Sequence, residues 1–118
     1  MLTEARQQQV IDFCRELIKI PSPSGCEGDV ARLIVKQMQE LGFEAEVDKW
    51  GNAVGRLAAS PSSPSGPPIL FDGHIDNIGV TGVWQHNAFG ADIENGRIYG
   101  RGASDMKGGV AAMVMGAA

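Results

Sequence analysis

With 118 residues, 43% of them hydrophobic and 20% charged, the chain is long enough for one small domain and has the charged fraction of an ordinary globular protein. Ten Lys and Arg against fourteen Asp and Glu leave a net charge of −4 with no basic stripe, which argues against a phosphate-backbone partner and so against nucleic acid. The opening Met1-Leu-Thr-Glu-Ala-Arg lacks a charged-then-apolar leader, and no apolar run approaches the roughly 20 residues that span a bilayer, so a cytoplasmic chain without a membrane contact is expected.

From residue 4 to residue 20, Val10, Phe13, Cys14, Leu17 and Ile18 repeat at the helical period, and Pro21 and Pro23 end the segment, which predicts an amphipathic helix. Ser24-Gly-Cys-Glu27 reads as a Ser-x-x-Glu capping box for a second helix marked by Val30, Leu33, Ile34, Met38 and Leu41 and closed by Gly42. Residues 43–47 and 53–57 alternate around Trp50-Gly51-Asn52, as two strands joined by a turn would. Ser60-Pro-Ser-Ser-Pro-Ser-Gly-Pro-Pro68 reads as a surface loop, since its prolines cannot donate to a sheet. Residues 69–72 are then expected to form a short core strand covered by helices on both faces. An irregular loop follows over 79–90, and a hairpin over 92–99 turns on Asn95-Gly96. A last helix from Met106 onward is apolar on all sides, as if buried between layers. Cys14 on an apolar helix face and Cys26 beside the next helix match neither a zinc knuckle nor a disulfide framework, and are read as reduced thiols.

His74-Ile-Asp76 follows the apolar run, and a further acid, Asp105, lies in Gly100-Arg-Gly-Ala-Ser-Asp-Met-Lys-Gly-Gly109. In extended backbone, residues two apart share a face, so His74 and Asp76 can converge at a strand's end, where open α/β sheets keep their ligands. Hydrolysing an amide near neutral pH needs a nucleophilic water and an electrophilic carbonyl, and paired metals roughly 3.5–4 Å apart can supply both. His74 offers an imidazole nitrogen, Asp105 a carboxylate able to bridge two ions, and Asp76 a partner for the other imidazole nitrogen that would set the tautomer. A phosphate-cradling loop is the competing reading of the glycine-rich segment, but Lys107 has Met106 before it and Gly108 after it, where that motif needs Gly and then Ser or Thr. Taken singly, Asp105 could be the N-cap of the last helix and Asp76 a turn residue. His86 is expected at the surface, and Arg101 and Lys107 in salt bridges or solvent.

His74-Ile-Asp76 and Tyr99-Gly-Arg-Gly-Ala-Ser-Asp105-Met-Lys-Gly-Gly109, with Trp84 and Phe89 between them, resemble the zinc amidohydrolases and peptidases that include acetylornithine deacetylase, succinyl-diaminopimelate desuccinylase, aminoacylase and carboxypeptidase G. The resemblance runs from about Val10 to the end, and its second motif is the specific one. It implies a metal ligand at His74, an orienting catalytic acid at Asp76 and a bridging ligand at Asp105, with the peptide after that aspartate often cis. The chain departs from the pattern at Asn87-Ala88-Phe89, where many members have Asp-Pro-Phe, and at Asn77, where Thr or Val is commoner. The family's adjacent glutamates, later ligands and inserted dimerisation domain would lie beyond residue 118.

The expectation is therefore an α/β fold, zinc-exopeptidase-like and incomplete, with helices on both faces of a mixed sheet. Residues 1–118 would be the N-terminal part of a metallohydrolase catalytic domain. The full-length protein would cleave an amide or peptide bond of an N-acyl amino acid or small peptide with two divalent ions, zinc first and cobalt or manganese as alternatives, and could be a homodimer. By itself this stretch, without the general base, should bind metal weakly and turn nothing over. Two other readings stand beside it: a naturally short, non-catalytic interaction module that keeps the front half of the fold, and a metal-independent small-molecule binder.

Overall fold

The computed structural model describes residues 2–62 and 66–118, so residues 63–65 of the expected proline-serine loop lie outside the described residues. Helix α1 spans Glu4–Lys19. Thr3 caps it, its hydroxyl accepting from the Arg6 N–H at 3.2 Å, and Glu4 adds an acid to the first turn. It stops because Pro21 drives Ile20 into extended backbone, φ −96° and ψ 110°. Helix α2 spans Gly28–Glu40 and ends in a Schellman motif. Gly42, at φ +92°, lets its own N–H reach the Gln39 carbonyl while the Phe43 N–H reaches Met38.

The capping box expected at the start of α2 does not form. Glu27 occupies the N-cap without a side-chain cap bond, its carboxylate accepting instead from the Gly25 N–H at 2.7 Å. Ser24 has turned its hydroxyl to the Asp76 carboxylate, 52 residues along the chain. The helix starts three residues later than the box requires, and the Ser24 hydroxyl donates to a distant carboxylate.

Strands β1 (Glu44–Val47) and β2 (Ala53–Arg56) pair antiparallel, with Glu44 opposite Arg56 and Val47 opposite Ala53. Asp48 shapes their turn by accepting from the Trp50 and Asn52 N–H groups and the Asn52 amide, with Gly51 at φ +89°. The second ribbon, β3 (Asp92–Glu94) with β4 (Arg97–Tyr99), turns on Asn95 and Gly96, both at positive φ as a type I′ turn demands. A wide kinked turn over Ala103–Lys107 leads into α3 (Gly108–Ala117).

Periodicity decides which side chains form the core. Phe13, Leu17 and Ile18 of α1, Val30, Ile34 and Met38 of α2, and Val110, Ala111, Val114 and Met115 of α3 make one cluster. Leu17 and Ile18 are wholly removed from water, each contributing about 1.5–3 kcal/mol of transfer energy. Cys14 is buried in this cluster and Cys26 is exposed, both as free thiols, and burial pushes the Cys14 thiol up from its ordinary pKa.

The class is α/β, but its sheet differs from the expected one. Among the described residues the strands form two separate two-stranded antiparallel ribbons, not a mixed sheet between helix layers. Residues 69–72 belong to neither, and Ile69 and Leu70 stand 82% and 88% exposed. An apolar run becomes a strand only where another strand satisfies its N–H and C=O groups, and no described segment lies alongside this one. The radius of gyration is 15.2 Å, against roughly 13.5 Å for a compact chain of this length. No helix among the described residues is long and apolar enough to cross a membrane.

Candidate metal centre

Two segments meet here. The extended stretch around residues 73–77 brings His74 and Asp76, and the kinked turn ahead of α3 brings Asp105. His74 stands between the two acids, with Nδ1 3.0 Å from Asp76 Oδ1 and Nε2 2.8 Å from Asp105 Oδ1. The structure therefore gathers all three residues singled out from sequence around one imidazole ring. With a carboxylate on each nitrogen, the ring is held above its ordinary pKa, by Asp105 most, against the opposing effect of desolvation, with Asp76 adding a further upward push. Asp76 is pushed below the usual carboxylate range, first by the Ser24 hydroxyl and then by His74.

The site opens to solvent on the Asp105 side, whose side chain is 85% exposed, whereas Asp76 is the more enclosed acid at 37%. Asp105 does not cap α3. Lys107 takes the N-cap without a side-chain bond, and Asp105 itself has φ −132° and ψ 93°, outside the helical region. The Asp105–Met106 peptide is cis, as the family resemblance implies.

An imidazole nitrogen and a carboxylate oxygen, here 2.8 Å apart, are ligand types that a zinc-like ion accepts, so the chemistry of His74 and Asp105 fits a divalent metal. Two donors are fewer than such an ion takes, and no group of three or more His, Cys, Asp or Glu among the described residues is arranged to hold one.

Close backbone approach explains two of the glycines. A Cβ on Gly100 would run into the Ile18 side chain and lie 3.2 Å from the Ala88 carbonyl, and one on Gly108 would lie 2.7 Å from the Ala103 carbonyl. Either substitution would push the Asp105 turn away from α1 or distort the turn itself.

Three charged residues differ from their expected places. Lys107 is neither solvated nor ion-paired among the described residues: it is 1% exposed, its Nζ donates to the Ile20 carbonyl at 2.6 Å, and burial lowers its pKa to about 8. Arg101 lies over the Trp84 ring, 4.7 Å from its centroid. His86 is largely covered, stacked 4.0 Å from Tyr99 with Asp92 and Glu94 each 3.4 Å from a ring nitrogen. It packs beside a cavity of about 400 Å³ whose wall includes Trp84, Tyr99 and Ser104.

Sequence reasoning misses Ser22 and the part played by Asn77. Ser22 is fully buried, its N–H and Oγ both directed to Asn77 Oδ1 and its Oγ also 2.8 Å from the Ile75 carbonyl. The signal that could have found it is a polar residue between two prolines, Pro21 and Pro23, just past the end of a helix.

The model of peptidase family M20/M25/M40 matches residues 70–118, the stretch that carries His74, Asp76 and Asp105. The chain is also similar to a succinyl-diaminopimelate desuccinylase of Halorhodospira halophila (strain DSM 244 / SL1), 40% identical over 108 residues. That alignment covers 88% of this chain and 28% of the relative, so the chain spans under a third of the relative's length. Taken with the His-x-Asp segment and the Gly-rich turn that meet at the His74 ring, these matches place the chain in peptidase family M20/M25/M40.

Proposed function

We propose that residues 1–118 are the N-terminal part of the catalytic domain of a metal-dependent amidohydrolase that cleaves the amide bond of an N-acyl amino acid or small peptide. The observation that carries this reading is the His74 ring held between Asp76 and Asp105, in a chain related to a desuccinylase. His74 and Asp105 would hold divalent metal, with zinc the best match to their donor types and cobalt or manganese as substitutes. Bound there, the metal supplies Lewis acidity for the scissile carbonyl and the attacking water.

The chain's own residues prepare that chemistry. Asp76 accepts the proton on His74 Nδ1, so the ring takes metal through Nε2 once that nitrogen gives up the proton it directs to Asp105. The raised pKa of the ring means that protons compete with metal, so occupancy should fall as the solution is acidified. The exposed face of Asp105 leaves room for a second ion and for substrate. Turnover also needs a proton-moving glutamate and further ligands that these residues do not supply. The full-length enzyme is proposed to act in the cytoplasm, on a small-molecule or short peptide substrate, as a homodimer.

Metal analysis of the full-length protein tests this reading. His74→Ala should lower bound zinc about 10-fold or more, while Asp76→Asn should reduce kcat more than occupancy. Unchanged zinc content in His74→Ala would remove that residue from the site. Metal-dependent hydrolysis by purified 1–118 would show that the machinery assigned to other parts of the protein is not needed.

A further inference from the structure

On the metal-site reading the His74–Asp76 pair must be held in place, yet no sheet does so among the described residues. The connection between α1 and α2 takes that role. Ser22 receives the Asn77 N–H on its carbonyl at 2.8 Å, directs its own N–H to Asn77 Oδ1 at 3.1 Å, and sets its hydroxyl on the Ile75 carbonyl. Two residues before Ser22, the Ile20 carbonyl receives Lys107 Nζ from the Asp105 turn. Both ligand-bearing segments are thus fastened to residues 20–24, and no backbone hydrogen bond joins them directly among the described residues.

Ser24 completes the arrangement at the site itself. An aspartate held through one oxygen can still turn about its terminal torsion, which is broad and roughly two-fold. Asp76 is held through both: Oδ1 faces His74 Nδ1 and Oδ2 takes the Ser24 hydroxyl, so rotation would break two bonds together. Ser24 lies ahead of the Glu27 N-cap, so its hydroxyl takes no part in capping α2 and its one side-chain partner among the described residues is Asp76. We propose that Ser24 is a positioning residue, whose hydroxyl locks the Asp76 carboxylate and through it sets the orientation of the His74 ring toward metal.

The test uses the full-length protein with cobalt(II) as the probe, together with ¹⁵N spectra of the His74 ring in metal-free protein. Ser24→Ala should weaken cobalt(II) binding by about 10-fold, the lower end of what loss of a ligand's supporting partner produces, and should shift the visible cobalt band. Ser24→Thr, which keeps the hydroxyl, should restore both. In metal-free protein taken to a pH at which the ring is neutral, the ring nitrogens of Ser24→Ala should move toward the shifts of a mixed tautomer population. Wild-type cobalt affinity, band and ring shifts in Ser24→Ala would overturn the proposal, as would failure of Ser24→Thr to rescue. If wild-type protein binds no cobalt(II) while Ser24→Ala still moves the ring shifts, the metal reading fails and the positioning of His74 by Ser24 stands.

Discussion

The three helices and the stretch from residue 66 to residue 83 are both rich in apolar side chains, yet their fates differ. Leu17 of α1 is fully buried, whereas Leu70 is 88% exposed. A helix satisfies its backbone within itself, so an apolar stripe at the right period needs only another stripe to pack against. An apolar strand needs a neighbour for every other N–H and C=O before its side chains can be covered. The candidate metal centre lies where these regimes meet: Asp105 rides on a turn anchored to the helices, and His74 and Asp76 lie on unpaired backbone tied down by side chains.

If the helices alone provide the core, the largest effect belongs there. Leu17→Ala should cost the 118-residue chain about 2–5 kcal/mol, while Leu70→Ala should stay within about 0.5 kcal/mol. Urea denaturation of both variants measures this directly. Equal losses would mean that residues 69–72 are packed in solution.

Next come the ties between the two regions. Ser22→Ala removes the hydroxyl from Ile75 and Asn77 in a fully buried position and should cost about 1–3 kcal/mol. Gly100→Ala should cost about 1–3 kcal/mol by overpacking, since the new methyl meets Ile18 in the core and the Ala88 carbonyl. A neutral Gly100→Ala would show that the Asp105 turn can shift away from α1 without loss.

The same division governs what is legible in the sequence. The helix ends at Pro21 and Gly42 and the hairpin turn at Asn95-Gly96 follow from local chemistry, and their positions agree with the structure to within a residue or so. His74, Asp76 and Asp105 stand out because motif spacing survives without knowledge of the fold. Three features do not show: the lack of a strand partner for residues 69–72 among the described residues, the contact of Ser24 with Asp76, and the burial of Lys107. Two depend on residues more than 50 positions away and one on strand pairing, and neither leaves a local pattern. Ser24 is the sharpest case, because its local spacing favours a cap and its hydroxyl instead meets a distant carboxylate.

Of the buried positions, Lys107 should give the smallest change at neutral pH and the clearest pH signature. Replacing it with Met removes the hydrogen bond to the Ile20 carbonyl, worth about 1.5–3 kcal/mol for a charged donor, but also relieves the cost of burying an ammonium. The two effects oppose, so Lys107→Met should change stability at pH 7 by no more than about 1 kcal/mol. Burial lowers its folded pKa to about 8 from the ordinary lysine value of 10.5. Below pH 8 both folded and unfolded chains hold the proton, and this group adds no slope. Between pH 8 and 10.5 the unfolded chain holds a proton that the folded one has released, so stability contributed by Lys107 rises with pH and levels off above that range. Denaturation curves collected from about pH 7 to about pH 11 should therefore show wild type gaining on Lys107→Met across that window. Parallel curves would mean that the amine stays charged throughout, and that the fastening of the Asp105 turn to α1 is a charge-assisted bond at every pH measured.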